Sequence, residues 1–179
     1  MYILASQSPR RNELLSQIIS EFKVIPSNIN ENIKVNTPEE LPLMLSKLKA
    51  EEIFKTHQDD TIIAADTIVV LDNKILGKPK NEKEAYKMLT SLSNKKHEVI
   101  TGYTLLSKEK CISRAIKTEV YFNKLDEQTI KEYIKTGSPF DKAGGYGIQD
   151  KEFNLVKKIK GSLSNVIGLP LESLANDIL

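Results

Sequence analysis

The chain has 179 residues, of which 40% are hydrophobic and 28% are charged, as in globular proteins and unlike disordered ones. Its 26 basic and 24 acidic residues leave a net charge of +2, so composition does not indicate nucleic-acid binding. The single cysteine, Cys111, excludes an internal disulfide framework and a cysteine-based zinc site. With no apolar run of roughly 20 residues and no signal-peptide pattern, we expect a cytoplasmic protein.

The first local pattern is a short apolar strand, 2–5, followed by a polar turn that is predicted to begin a helix. Ser8 is a suitable N-cap because its hydroxyl can accept a backbone N–H of the first helical turn. Hydroxyls from Ser6 and Ser8 and guanidinium groups from Arg10 and Arg11 gather at this helix start, where backbone N–H groups also favour an anion. The pattern predicts a phosphate-binding turn, with a capped helix and solvated arginines as the alternative.

A run of β-branched and small apolar residues, 62–70, predicts a strand buried on both faces. Asp66 interrupts it, and a buried carboxylate costs several kcal/mol unless a cation, a metal or hydrogen-bond donors meet it. A salt-bridged structural aspartate is the simpler interpretation, and a functional carboxylate is the other. Taken alone, Glu31 is predicted in an exposed loop. Lys49 is predicted on the solvated face of a helix that has Thr37 as its cap and Pro38 at its first position.

Two hairpins are predicted after this strand. The turn pair Asp72 and Asn73 leads into a return strand that would bring Lys78 near the acidic position of the buried strand. Segments 99–106 and 112–125 alternate between apolar and polar residues, which predicts two antiparallel strands.

Capping residues mark further elements. Asn81 and Asp126 are predicted N-caps, and the helix after Asp126 is predicted to end at Gly137. A last strand over 156–161 is predicted to precede a C-terminal helix that opens at Pro170.

Three glycines within four residues, Gly144, Gly145 and Gly147, form the most unusual segment. This density favours neither helix nor sheet, so the backbone is expected to bend or to approach another group closely. No Gly-Lys-Ser or Gly-Lys-Thr follows, so the segment is not a P-loop.

Five motifs resemble, in order along the chain, those of the Maf family. Each is weak by itself, but together they cover residues 3–171 in register. Gln7 and Ala64 stand where glycine is common in the family. The motifs are Ser6-Gln7-Ser8-Pro9-Arg10-Arg11, Ala65-Asp66-Thr67, Gly77-Lys78-Pro79, Asp141-Lys142-Ala143-Gly144 with Tyr146-Gly147-Ile148-Gln149, and Gly168-Leu169-Pro170.

The resemblance implies a fold and a reaction. The implied fold is α/β and inosine triphosphate pyrophosphatase-like: a long twisted mixed β-sheet with flanking helices forms a two-lobed cleft in a single domain, 1–179. The implied reaction is attack of water at the α-phosphorus of a nucleoside triphosphate, giving the monophosphate and pyrophosphate with Mg²⁺ or Mn²⁺. The Ala-Asp-Thr and Tyr-Gly-Ile-Gln motifs resemble the subgroup that acts on dTTP and UTP.

The resemblance also implies roles for individual residues. Asp66 matches the catalytic proton acceptor. Together, Asp66 and Glu31 suit a magnesium ion that phosphate oxygens also hold. Arg10, Thr67 and Gln149 match specificity positions, and a triphosphate needs several cations around it. The implied substrate-binding residues are Ser6, Ser8, Arg10, Arg11, Lys49, Thr67, Lys78, Lys142 and Gln149.

Two other functions stay open. One is a pyrophosphatase for another base, such as 7-methyl-GTP, and the other is a nucleotide-binding regulator of cell division with little turnover. The expected partner is a small-molecule nucleoside triphosphate, without nucleic acid or membrane, and a homodimer is implied by the resemblance alone. A full set of acidic, metal-binding and cationic residues favours turnover over binding.

Overall fold

Strands and helices are mixed along the chain in the computed structural model, which describes residues 1–179. The strands are β1 (Tyr2–Leu4), β2 (Phe22–Val24), β3 (Thr61–Leu71), β4 (Lys74–Leu76), β5 (Lys96–Leu106), β6 (Cys111–Phe122) and β7 (Val156–Lys160). The helices are α1 (Pro9–Leu15), α2 (Glu40–Phe54), α3 (Glu82–Leu92), α4 (Glu127–Lys135), α5 (Leu163–Ile167) and α6 (Leu171–Ile178). Three short 3-10 segments lie between α4 and β7, at Ser138–Asp141, Ala143–Gly145 and Lys151–Phe153.

All seven strands belong to one mixed sheet, in the order β2-β1-β3-β5-β6-β7 with β4 paired to β3. Strand β1 runs parallel to both β2 and β3, whereas β4 is antiparallel to β3 and β7 is antiparallel to β6. A mixed sheet with helices along the same chain confirms the predicted α/β class. The cleft implied by the resemblance stays a prediction.

Strand β3 is buried on both faces, as its apolar run predicted. Ile62 and Ala64 pack into one hydrophobic cluster, and Ile63 and Ala65 pack into another. Successive side chains of a strand point to opposite faces of the sheet, so the two clusters cover the two faces. Asp66 follows this buried stretch directly.

The chain divides into two compact units. The first contains Met1–Thr67, Ile100–Ile116 and Ser164–Leu179, and the second contains Ile68–Val99 and Lys117–Leu163. In the second unit, α3 packs against α4. A single domain over 1–179 stays a prediction. None of the six helices combines the length and the apolar character of a membrane-spanning segment.

Three of the predicted N-caps are confirmed. The side-chain oxygens of Ser8, Asn81 and Asp126 each accept the backbone N–H of the residue three positions later. Gly137 follows α4 with a φ of 76°, the left-handed conformation typical of a residue after a helix end.

Helix α2 begins at Glu40 with Glu39 as its N-cap, so the prediction of Thr37 as the cap and Pro38 as the first helical residue is wrong. The carbonyl of Thr37 accepts the N–H of Glu40 at 3.2 Å, so a tighter turn precedes the helix. The carboxylate of Glu40 accepts the N–H of Asn36 at 2.9 Å, a capping contact that the sequence pattern did not indicate. Pro42 lies in the first turn of α2, where a missing N–H loses no intrahelical bond.

The β3–β4 hairpin is confirmed. Leu71 pairs with Lys74, and the two turn residues Asp72 and Asn73 have φ values of 49° and 62°. Positive φ at both central residues is the conformation that matches the twist of a two-residue hairpin, and Asn and Asp tolerate it well.

The glycine-rich segment bends and approaches other groups closely, as predicted. Gly144 has a φ of 73° and donates its N–H to the carbonyl of Gly77 at 3.0 Å. A Cβ atom at Gly144 would lie 2.9 Å from Cγ2 of Val69, so any side chain would displace β3. Both observations explain why glycine occupies this position.

Candidate active site

Asp66, on β3, forms an ion pair with Lys49, on α2. Nζ of Lys49 lies 2.9 Å from Oδ1 of Asp66 and 2.8 Å from Oε1 of Glu31. The side chains of Lys49 and Asp66 are only 11% and 14% exposed, whereas that of Glu31 is 59% exposed. Lys49 is therefore not the solvated cation that its helix alone suggested, because its ammonium group compensates a carboxylate in an interior strand.

The position of Lys49 follows from the buried stripe of α2. Leu45, Ser46, Lys49, Ala50 and Ile53 are buried, with the spacing of one helix face. A lysine on the apolar face of a helix needs a partner for its charge. This spacing is a sequence pattern that could have placed Lys49 in the interior.

The guanidinium group of Arg11 is held by three hydrogen bonds within the first unit. Nε donates to the carbonyl of Gly168 at 2.8 Å, Nη1 donates to Oγ of Ser6 at 3.3 Å, and Nη2 donates to Oγ1 of Thr67 at 3.0 Å. An arginine carries five N–H donors, so two remain for a ligand. The side chain is thus fixed in orientation before any substrate arrives.

Charged groups around Arg11 act on it electrostatically. Burial has the largest effect and lowers the pKa of Arg11. Among the neighbouring charges, those of Asp66 and Glu31 raise this pKa and that of Arg10 lowers it. With Lys49 paired to both carboxylates, three cations and two anions share one neighbourhood. The excess positive charge favours a phosphate group.

The two serines of the predicted phosphate-binding turn accept hydrogen bonds from the chain itself. Oγ of Ser6 accepts the N–H of Ser8 at 3.2 Å, and Oγ of Ser8 accepts the N–H of Arg11 at 3.4 Å. These bonds shape the turn that leads into α1, a helix of only seven residues. Direct phosphate contacts by the serines stay a prediction.

Three predicted site residues belong to the second unit. Lys78 and Gln149 are exposed. The ammonium group of Lys142 donates to the carbonyl and Oγ of Ser138, at 2.8 and 3.0 Å, and to Oδ1 of Asp141 at 2.8 Å. These contacts match its three N–H donors, so Lys142 holds its own loop together, and a phosphate contact by it stays a prediction.

Tyr133 and Asp150 fix the backbone on both sides of Gln149. The phenol of Tyr133 accepts the N–H of Gly147 at 2.9 Å and donates to Oδ2 of Asp150 at 2.6 Å. Oδ2 of Asp150 also accepts a hydrogen bond from Oγ of Ser138 at 2.5 Å. Burial, and then the hydrogen bond to Asp150, raise the pKa of Tyr133, so it remains a protonated donor at neutral pH.

His97 lies behind the same loop. Its Nε2 atom is 2.6 Å from the hydroxyl of Tyr146, and both rings are buried. Burial lowers the pKa of His97 to about 4, so the imidazole is neutral at pH 7. This histidine supports Tyr146 and does not carry charge to a ligand.

The sequence pattern missed four groups that support these side chains: Thr101, Tyr133, Asp150 and the carbonyl of Gly168. No sequence pattern singled out any of the four, because even Thr101 lies in a segment predicted as an alternating strand, where a threonine fits β propensity. The structure brings together in the first unit Arg11 with Ser6 and Thr67, and Lys49 with Glu31 and Asp66. The first unit also contains Ser8 and Arg10, and the second contains Lys78, Lys142 and Gln149.

Comparisons with known proteins agree on one family. The sequence pattern of the family described as Maf-like protein matches residues 1–178. A protein named dTTP/UTP pyrophosphatase from Thermosipho africanus (strain TCF52B) is 51% identical and covers 96% of this chain and 88% of its own. Proteins of the same name from Thermococcus gammatolerans (strain DSM 15229 / JCM 11827 / EJ3) and Carboxydothermus hydrogenoformans (strain ATCC BAA-161 / DSM 6008 / Z-2901) are 48% and 46% identical. They cover 96% and 98% of this chain, and 92% and 95% of their own.

Solved structures align with the chain as well. The Staphylococcus aureus Ham1 protein matches 68% of this chain and 70% of its own at 17% identity, with a TM-score of 0.46. This likeness is too low to add to the family assignment.

Proposed function

Because the chain belongs to the Maf-like protein family, we propose that it is a nucleoside triphosphate pyrophosphatase that acts on dTTP and UTP. Water adds to the α-phosphorus, the bond to the oxygen that bridges to the β-phosphate breaks, and the products are the nucleoside monophosphate and pyrophosphate. Relatives that are 46% to 51% identical to this chain are named dTTP/UTP pyrophosphatase, which supports the assignment. The proposal includes residues 1–179 acting as one domain in the cytoplasm.

The observation that carries the proposal is the carboxylate of Asp66 in an interior strand, held by Lys49 beside Arg11. Hydrolysis at phosphorus needs a group that orients and deprotonates water, and cations that stabilise the charge of the transferring group. We assign the first role to Asp66. Lys49, Arg10 and Arg11 supply the second.

A divalent cation fits the donor set of Glu31 and Asp66. Both carboxylates converge on one ammonium group, and oxygen ligands are those that Mg²⁺ or Mn²⁺ prefers. The structure has no group of three or more His, Cys, Asp and Glu side chains that could hold a metal alone. Phosphate oxygens and water would complete the coordination. A bound cation would withdraw charge from the phosphates and lower the pKa of water.

Gln149 is our candidate for base selection, with Thr67. The Gln149 side chain is exposed, and a carboxamide can accept from N3–H and donate to O4 of uracil or thymine. Cytosine offers an unprotonated N3 and an amine, which leaves groups unpaired in a matched site. Each mismatch costs about 1–3 kcal/mol, or roughly five- to 150-fold in kcat/KM.

The test of this function is pyrophosphate release from UTP, dTTP, CTP, GTP and 7-methyl-GTP, with and without Mg²⁺. We expect UTP and dTTP to be hydrolysed at least about tenfold faster than CTP and the purine nucleotides, with Mg²⁺ required. Gln149→Ala should lower kcat/KM for UTP by about tenfold and for CTP much less. Gln128→Ala, on the exposed face of α4, is the matched control. Equal rates for CTP or GTP and UTP would contradict the assignment of Gln149.

Both arginines at the start of α1 should weaken triphosphate binding when replaced. Arg10→Ala should raise KM for UTP at least about tenfold, since a guanidinium–phosphate contact contributes about 1.5–3 kcal/mol. Arg11→Ala should raise KM and also lower Tm by about 4 °C or more, because it removes three internal hydrogen bonds.

Steady-state kinetics and thermal unfolding measure both effects, with Lys47→Ala as the control for loss of an exposed cation. If kinetic constants of both arginine variants stay within twofold of the wild type, the arginines do not bind the triphosphate.

A further inference from the structure

A chain of hydrogen bonds runs from Arg11 into the interior of the first unit. Nη2 of Arg11 donates to Oγ1 of Thr67 at 3.0 Å, and Oγ1 of Thr67 lies 2.9 Å from Oγ1 of Thr101. Oγ1 of Thr101 then donates to the main-chain carbonyl of Asn165 at 3.0 Å. Thr101 is completely buried, so water does not compete for the contacts of its hydroxyl.

Only one arrangement of protons satisfies this chain. A carbonyl oxygen accepts and never donates, so Thr101 gives its only hydroxyl proton to Asn165. The contact between the two threonines therefore requires Thr67 to be the donor. Thr67 can then only accept from Arg11, as the geometry of Nη2 also requires.

This order of donors has a consequence for the ligand. The Thr67 hydroxyl has no proton left, so it can only accept a hydrogen bond from a ligand. The bond to Thr101 fixes the orientation of the Thr67 hydroxyl. Because its proton points toward Thr101, a lone pair of Oγ1 of Thr67 is left to face Arg11.

We propose that Thr101 is a positioning residue that orients the hydroxyl of Thr67 and thereby the guanidinium group of Arg11 for triphosphate binding. The role in binding rests on the proposed function. Thr101 itself contacts no substrate. It acts through Thr67 and Arg11.

The strand that carries Thr101 also offers a matched control. Thr104 is equally buried on β5, and its hydroxyl lies 3.0 Å from Oγ of Ser46 and 2.8 Å from Oγ of Ser113. Thr104→Val thus removes a buried hydroxyl with two partners, as Thr101→Val does, without touching Thr67 or Arg11. A comparison of the two variants separates positioning from general stability.

Thr101→Val should raise KM for UTP by about tenfold, whereas Thr101→Ser should stay within about twofold of the wild type. Thr104→Val should leave KM unchanged, even if both valine variants lower Tm similarly. A purely structural defect lowers the fraction of folded enzyme, which reduces apparent kcat and leaves KM alone. Since Thr101 orients Arg11 by way of Thr67, Thr101→Val should raise KM much less in the Arg11→Ala background than in the wild-type protein.

A readout without turnover keeps this inference separate from the proposed function. Nε–H of Arg11 is bonded to the carbonyl of Gly168, and its hydrogen exchange can be followed by NMR. Thr101→Val should accelerate that exchange at least about tenfold, and Thr104→Val should not. If the wild-type protein releases no pyrophosphate, the proposed function fails, and this exchange still tests the orientation of Arg11. Equal KM or equal exchange for the two valine variants, or an undiminished KM effect in the Arg11→Ala background, overturns the proposal.

Discussion

Replacing Asp66 with asparagine should lower the rate of pyrophosphate release from UTP at least about a hundredfold while the protein stays folded. Asparagine keeps the shape of the side chain but cannot take a proton from water. Lys49 loses the negative charge of its partner at 2.9 Å, although the amide oxygen can still accept from it. The ion pair with Glu31 at 2.8 Å remains, so the buried ammonium group retains a counter-charge. We therefore expect the kinetic loss to far exceed any loss of stability.

The matched control for Asp66→Asn removes a carboxylate elsewhere in the first unit. Asp59 has a side chain that is 91% exposed and pairs with Lys108, so Asp59→Asn changes the net charge equally without reaching the site. Its kcat should equal that of the wild type. Turnover by Asp66→Asn close to that of Asp59→Asn would show that Asp66 is only a structural counter-ion for Lys49.

Gly102→Ala should cause a large loss of stability. A Cβ atom at Gly102 would lie 2.3 Å from both the carbonyl carbon and oxygen of Pro42, and 2.5 Å from the nitrogen of Leu43. These are backbone atoms of α2, so no flexible side chain can move aside. The helix must shift away from β5, and the predicted cost is about 3 kcal/mol or more.

Urea unfolding of Gly102→Ala and Gly77→Ala measures this effect. Gly77 has nothing within 4 Å of an added Cβ, so its alanine variant should unfold within about 0.5 kcal/mol of the wild type. A partly folded Gly102→Ala should also turn over UTP more slowly, because α2 carries Lys49. Equal unfolding midpoints for the two alanine variants would contradict the close packing of α2 against β5.

The elements that the sequence predicted correctly depend on local contacts. Ser8, Asn81 and Asp126 each cap a helix through a bond to the residue three positions later. The hairpin after β3 needs only the tolerance of Asp72 and Asn73 for positive φ. Helix α5, from Leu163 to Ile167, was not predicted, because five residues are too few to show a helical period.

Contacts distant in sequence could not be predicted from local patterns. The carbonyl that fixes Nε of Arg11 belongs to Gly168, 157 residues away, and a carbonyl has no residue-specific signature. The motifs did single out Asp66 and Arg11, but the ion pair with Lys49 depends on how α2 lies against β3. Thr101 was missed because a threonine in a strand fits β propensity as well as it fits a functional hydroxyl.

The most direct test of the central claim is hydrolysis of UTP in ¹⁸O-labelled water, with the products identified by ³¹P NMR and mass spectrometry. Attack at the α-phosphorus places the labelled oxygen in UMP, which should appear in equal amount with unlabelled pyrophosphate. Asp66→Asn should form neither product at a comparable rate, whereas Asp59→Asn should form both. Label in pyrophosphate, UDP with inorganic phosphate as products, or no turnover of UTP by the wild-type protein would contradict the account.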